Sequence, residues 1–238
     1  MLGLGNSLIH SSYQWQPTSV GADLKLWLRN GVGVSAAAWD DSSGSGNDME
    51  QGDLALQGVE HEGGIDFTGS EDHHYDISGG GEVRCDAQEP FMIFIVCIFD
   101  SFDDQNSILG TGDNNVFLEF QTNRKLRFKT NDGGTADVDS LEYPSGTFAT
   151  GAEAAVFGIQ REGGATGNIN LYKNGTKIAP TSQLANPGSL SFNQFGARNS
   201  DRTFDGKILE LLCYDTTQLT DAEILKINNY LKNKFGIA

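Results

Sequence analysis

Hydrophobic positions along this chain recur mostly every second residue, in short runs separated by turn-forming clusters. Asp23–Leu28 (DLKLWL) alternates and predicts a first strand, and Ile65–Phe67 predicts a short one before the polar stretch Thr68–His74. Val116–Phe120 and Lys125–Lys129 predict a pair around Gln121–Arg124, with Leu126 and Phe128 inward and Lys125, Arg127 and Lys129 outward. Ala155–Gln160, Asn168–Lys173, Thr176–Ile178 and Ser189–Phe195 continue the series, and Asn174-Gly175 marks a two-residue hairpin because both residues tolerate positive φ. Phe91–Phe99 (FMIFIVCIF) is apolar at every position, so it predicts a central strand covered on both faces. In Lys207–Cys213, strict alternation puts Leu209, Leu211 and Cys213 on one face and Ile208, Glu210 and Leu212 on the other.

The period changes only at the end. Thr220 stands three residues before Glu223, a capping box, and Ile224, Ile227, Leu231 and Phe235 form one apolar stripe at helical spacing. Acids open this helix, lysines close it and Gly236 follows it. A single stripe needs a sheet to lie on, and the outer face of Phe91–Phe99 is the expected seat. The pattern predicts one antiparallel β-sandwich closed by a short C-terminal α-helix. Residues 1–21 lack a clean period although they carry Leu2, Leu4, Leu8, Ile9, Tyr13 and Trp15. They are expected to form an arm that docks on residues 22–238 or on a neighbouring subunit, and removing residues 1–20 is expected to leave the sandwich folded.

Composition narrows the function classes. Thirty glycines against five prolines suit many tight turns, and a formal charge of −16 disfavours nucleic acid and anionic membranes as partners. Cys85, Cys97 and Cys213 have neither metal-ligand spacing nor an even disulfide framework, and Cys97 and Cys213 sit among apolar neighbours as small core residues. MLGLGNSLIH lacks the basic region and continuous apolar core of a signal peptide, so the expected site of synthesis is a cytoplasm.

Hydrolytic motifs are missing from the sequence. No G-x-S-x-G, H-E-x-x-H, C-x-x-C or P-loop pattern occurs, and Glu119 and Glu210 each stand alone among apolar neighbours. Asp132, Asp137 and Asp139 crowd a Gly-rich turn, as Asp100, Asp103 and Asp104 crowd another, and hard oxygen ligands on such a loop can hold Ca²⁺. His73-His74, beside Glu71 and Asp72, are adjacent on the chain and point to opposite faces, which favours a polar loop over a metal site. Arg124, Lys125, Arg127 and Lys129 form a cationic strip in an acidic chain, either an acidic-partner surface or a charged edge. Trp39, beside the polar loop Asp40–Asp48, is the candidate sugar platform, whereas Trp27 on an alternating strand is expected in the core.

The segments ADLKLWL (22–28), WDDSSGSGND (39–48), GIDFTG (64–69), 89–99, INLYKNG (169–175) and 204–235, in this order, resemble the concanavalin A-like lectin/glucanase superfamily, above all its laminin-G-like jelly-roll modules. Similar modules occur in tailed-phage virion proteins and bacterial surface proteins. The resemblance implies a two-sheet antiparallel jelly roll, with binding on rim loops or a concave face and Ca²⁺ in some members. It also implies the E-x-D-x-x-E strand of the family's hydrolases, which this chain lacks. The expectation is a non-enzymatic virion protein, a capsid decoration or appendage subunit. It would contact other virion proteins or copies of itself through the arm, with a host-surface glycan as a further partner. The alternative is a free carbohydrate-binding module.

Overall fold

The run Phe91–Phe99 lies between two hydrophobic layers, and every residue in it except Ile98 is buried. Phe91, Ile93, Ile95, Cys97 and Phe99 face the space between two sheets. Met92, Phe94 and Val96 face the opposite way, onto the terminal helix.

The computed structural model describes residues 15–68, 71–102, 106–113, 116–121, 124–131, 136–151, 153–181, 188–200 and 202–238, and for 131 and 136–139 the backbone alone. The first half of the chain supplies β1 (Asp23–Leu28), β2 (Ala38–Trp39), β3 (Met49–Glu50), β4 (Val59–His61), β5 (Gly64–Phe67), β6 (Tyr75–Ile77), β7 (Val83–Cys85), β8 (Phe91–Phe99) and β9 (Asn106–Gly110). The second half supplies β10 (Phe117–Gln121), β11 (Lys125–Asn131), β12 (Ala136–Glu142), β13 (Ala155–Arg161), β14 (Ile169–Lys173), β15 (Thr176–Ile178), β16 (Leu190–Phe192), β17 (Gln194–Phe195), β18 (Gly206–Asp215) and the helix α1 (Asp221–Phe235).

These strands form a jelly-roll sandwich of two large antiparallel sheets. One runs β15-β14-β13-β8-β18-β5-β4, with β1 sharing an edge of β18 with β5; the other runs β12-β11-β10-β9-β17-β6-β3-β2. A small pair, β16-β7, lies apart. Phenylalanines fill the space between the sheets, with Phe99 and Phe120 at 5.0 Å and Phe67 and Phe195 at 5.4 Å in edge-on contact. The β14–β15 hairpin turns through Asn174 and Gly175, with φ of 51° and 86°, the double positive-φ turn that their types favour.

The helix is seated as its stripe predicts. Thr220 accepts from the Glu223 amide, the Glu223 carboxylate accepts from the Thr220 amide, and Gly236 caps the far end at φ 66°. Ile224, Ile227 and Leu231 pack on Met92, Phe94, Val96 and Val156. The last part of the arm docks beside them: Trp15 meets Tyr230 edge-on at 5.8 Å, and Tyr214 Oη donates to the Pro17 carbonyl at 3.1 Å. Residues 1–14 lie outside the described residues. Deleting residues 1–20 is therefore expected to leave both sheets formed but to cost about 1–3 kcal/mol, because the buried Tyr214 hydroxyl loses its acceptor. Urea denaturation checks this; an unchanged midpoint would mean that water replaces Pro17 without loss.

Three sequence expectations change, the first being that Ser189–Phe195, expected as one strand, is divided between β16, paired with β7, and β17, in a large sheet between β6 and β9. The faces of β18 are not those of a regular strand, because the pairing with β8 slips between Ile208 and Glu210. Ile208, Leu211 and Cys213 face the inter-sheet core, whereas Leu209, Leu212 and Tyr214 face the helix. The extra residue of a β-bulge shifts the alternation by one. Ala136–Glu142, expected within an acidic loop, is the edge strand β12, with Asp137 opposite Thr130 and Asp139 opposite Phe128. An edge tolerates the aspartates that strand propensity disfavours.

Candidate functional site

The cationic strip predicted on β11 forms, and it is largely compensated from within. Leu126 and Phe128 point inward while Lys125, Arg127 and Lys129 are partly exposed on the outer face. Arg124 and Lys125 each lie 3.4 Å from Glu142 on the neighbouring strand. Arg127 Nη1 donates to Glu119 Oε1 at 3.0 Å, and Arg198 Nε lies 3.1 Å from Glu119 Oε2. Both guanidiniums stand over the Phe117 ring, at 5.3 and 3.7 Å. Glu119 is fully buried, and burial pushes its carboxyl above the ordinary 4.5 despite the pull of Arg198 and Arg127.

That shift has a defined sign. Over a window beginning near the ordinary 4.5, the native state keeps a proton that the unfolded chain has lost. This contribution to stability is complete below that pH and is lost as pH rises through the folded value. Glu119→Gln cannot titrate, so unfolding free energies of the two proteins, subtracted at each pH, should show the wild type losing ground from about pH 4.5 upward. A difference that is flat or grows with pH would contradict it.

Trp39 takes a different place from the one expected of a sugar platform. It is fully buried between the sheets, against Phe195 at 6.0 Å, so neither ring face is open to a ligand. Its indole donates to the Arg29 carbonyl at 3.1 Å. The polar loop after it is a clamp: Asp41 accepts from the amides of Trp27 (2.9 Å), Ser43 (2.8 Å) and Asn47 (3.1 Å), and Asn47 donates to the Lys25 carbonyl at 2.8 Å. Together these contacts fix the end of β1, where Arg29 emerges.

Of the aspartates expected to hold Ca²⁺, Asp132 lies outside the described residues, and Asp137 and Asp139 are described by backbone alone, two positions apart on β12. Asp103 and Asp104 also lie outside them, while Asp100 accepts from Lys207 at 2.6 Å. Among the described residues no three acidic, His or Cys side chains converge on one point. His73 and His74 are buried separately: His73 Nδ1 accepts from the Thr68 amide at 3.1 Å, and His74 Nδ1 lies 2.8 Å from the Asp72 carbonyl.

A cleft of about 530 Å³ opens beside the helix, between Arg29, residues Trp15 and Gln16, and the flank of α1 carrying Lys226, Asn229, Tyr230, Asn233 and Lys234. The helix residues recur on successive turns, so they line one wall. Lys226 Nζ stands 5.1 Å from the Trp15 ring centre, and the Arg29 guanidinium 4.9 Å from that of Trp27. Neither cation is ion-paired among the described residues. Lys234 is different, because it lies 2.5 Å from Glu210 Oε2, whose other oxygen accepts from Trp27 Nε1 at 2.8 Å. Burial and Glu210 raise the pKa of Tyr230, and Arg29 opposes them. The cleft thus joins two aromatic rings, three amide side chains and two positive charges outside any ion pair among the described residues, in a strongly acidic protein. A second depression of about 520 Å³ includes Lys207, but Asp66 and Asp100 neutralise it.

No family model and no curated protein matches the chain. Among solved structures it is similar to the binding domain of Paraclostridial Mosquitocidal Protein 1, at 16% identity and a TM-score of 0.56, over 92% of this chain and 54% of that one. It is similar also to the botulinum neurotoxin serotype G binding domain, at 16% identity and a TM-score of 0.56, over 88% and 51%. A third likeness is to Trypanosoma rangeli sialidase, at 13% identity and a TM-score of 0.51, over 89% and 33%. The likeness is one of fold. The chain spans about half the length of the two toxin domains and a third of the sialidase. Both binding domains and an enzyme carry this sandwich, so the site, and not the fold, must carry the functional argument.

Proposed function

We propose that this protein is a non-enzymatic recognition module of a tailed-phage particle, a capsid decoration or appendage subunit that binds a glycan of the host surface. The observation that carries the reading is the cleft of Trp15, Arg29, Lys226 and Tyr230. Its volume lies within the roughly 300–1,000 Å³ typical of small-ligand sites, and its half-buried rings and its amides suit the C–H faces and hydroxyls of a sugar. The placement of the two strand-borne carboxylates supports a non-hydrolytic role. Glu119 lies on the outer face of one sheet and Glu210 under the helix on the other, each held by its own cations. Retaining hydrolysis needs two carboxyls about 5 Å apart across one bond.

Location on a particle rests on the sequence resemblance to virion modules, with other virion proteins or copies of this chain as partners through the arm. Fractionation of purified particles tests it, and absence of the protein from them would sink the virion reading. The free carbohydrate-binding module then remains, and a glycan array decides it. Retention of a glycan supports recognition, and an empty array with and without chelator counts against both forms. Loss of binding in chelator would assign Ca²⁺ a part, with Asp132, Asp137 and Asp139 as the first residues to replace.

A further inference from the structure

The cleft is more selective in charge than a general sugar site requires. The protein carries a formal charge of −16, so any anion is repelled at long range unless local cations overcome that field. In the cleft two of them form no ion pair among the described residues, Arg29 at the end of β1 and Lys226 on α1, whose electrostatic neighbour is Glu223 one turn earlier, whereas Lys234 is paired with Glu210. Several cations elsewhere are held by acids, Arg124 and Lys125 by Glu142, Arg127 by Glu119 and Lys207 by Asp100. Holding two cations unpaired costs an acidic protein little, and it leaves a planar guanidinium free to bind a carboxylate through two parallel hydrogen bonds.

We propose that this cleft recognises an acidic saccharide, with the sugar carboxylate on Arg29 and Lys226 and a pyranose face on Trp15. The inference rests on the glycan-recognition reading and narrows it to one class. Trp15 and Tyr230 meet edge-on at 5.8 Å, and Lys226 Nζ stands 5.1 Å from the centre of the half-buried indole, so ring and cation share one wall of the cleft. Gln16, Asn229 and Asn233 bring donors and acceptors for hydroxyls. The chain's own first fourteen residues complement this site poorly, because they contain no aspartate or glutamate. Recognition of this kind is partly solvent-exposed, so it weakens as salt is raised.

The test is an array of oligogalacturonates and sialyllactoses beside methyl-esterified oligogalacturonates and lactose, probed with the full chain. The expected result is retention of the acidic members alone, falling about tenfold or more in Arg29→Ala and in Lys226→Glu. Lys226 is exposed, so its replacement leaves the fold intact; at Lys177, an exposed site on β15, Lys177→Glu matches the charge change of Lys226→Glu and Lys177→Ala that of Arg29→Ala. Retention of neutral glycans without the acidic ones would overturn the acidic class and leave glycan recognition standing. An array empty of all glycans would overturn both. Acidic binding that is unchanged in Lys226→Glu and Arg29→Ala would place the site elsewhere and overturn this assignment.

Discussion

Replacing Arg161 by leucine is expected to destabilise the fold by about 3–5 kcal/mol, one of the two largest effects anticipated for a single substitution in this chain. Arg161 ends β13 and is fully buried without an ion pair among the described residues. Its Nε donates to the Glu89 carbonyl at 2.9 Å, Nη2 to the carbonyls of Glu89 at 2.7 Å and Asp86 at 2.5 Å, and Nη1 to that of Gly188. The guanidinium also lies 4.8 Å from the centre of the Phe91 ring. One planar group therefore ties the turn entering β8 to the segment entering β16. Leucine fills part of the volume but leaves three carbonyls dry, each costing about 1–3 kcal/mol. Arg161→Lys should recover less than half of the loss, since a point charge cannot span three acceptors in the geometry of a fork. Urea unfolding measures both variants, and a loss below about 1 kcal/mol for leucine would show that water reaches these carbonyls.

The second large effect is expected at Ile227. This side chain is fully buried where α1 crosses the outer face of β8, packed in the layer that contains Phe94, Val156 and Leu212. Aspartate there removes an apolar side chain and puts an unpaired carboxylate in its place, a change of about 4 kcal/mol or more. The helix should lift and expose the apolar face of β8, Met92, Phe94 and Val96. Strong binding of a hydrophobic dye, with far-ultraviolet strand signal retained, is the expected signature. Ile227→Asp that melts like the wild type and binds no dye would mean that the helix is not required to cover the sheet.

Both sites show where sequence patterns are informative and where they stop. The seat of the helix was legible because a two-sided apolar strand and a one-sided helical stripe each lack a partner alone and complete one another. The capping box and the Asn174-Gly175 hairpin were legible because their chemistry is local. Strands of two or three residues, β2, β3, β6 and β17, carry too little periodicity to announce themselves. The acid-rich β12 was hidden by its composition. On β11 the alternation was legible, but its compensation was not, because Glu119 and Glu142 reach it from flanking strands whose register only the folded sheet defines. The cleft was least legible of all. Its walls come from residues 15–16, residue 29 and one flank of residues 226–234, and each stretch taken alone reads as solvated surface. Trp39, expected at a ligand, instead anchors the backbone of Arg29 from within the core.

The slip in β18 has a bearing on how such modules diverge. Were the strand regular, the face that carries Ile208 inward would carry Glu210 inward too, placing a carboxylate between the sheets. The extra residue instead turns Glu210 toward Trp27 and Lys234, where it underlies the cleft. Leu209 is the residue with no opposite number on β8, so deleting it would make the pairing regular and keep Glu210 opposite Val96 on the helix side. The bulge is thus a place in β18 where one codon can be lost without inverting the residues beyond it. Lineages sharing the architecture can shed or regain that residue with the strand's two faces kept, a step that leaves almost no trace in overall similarity.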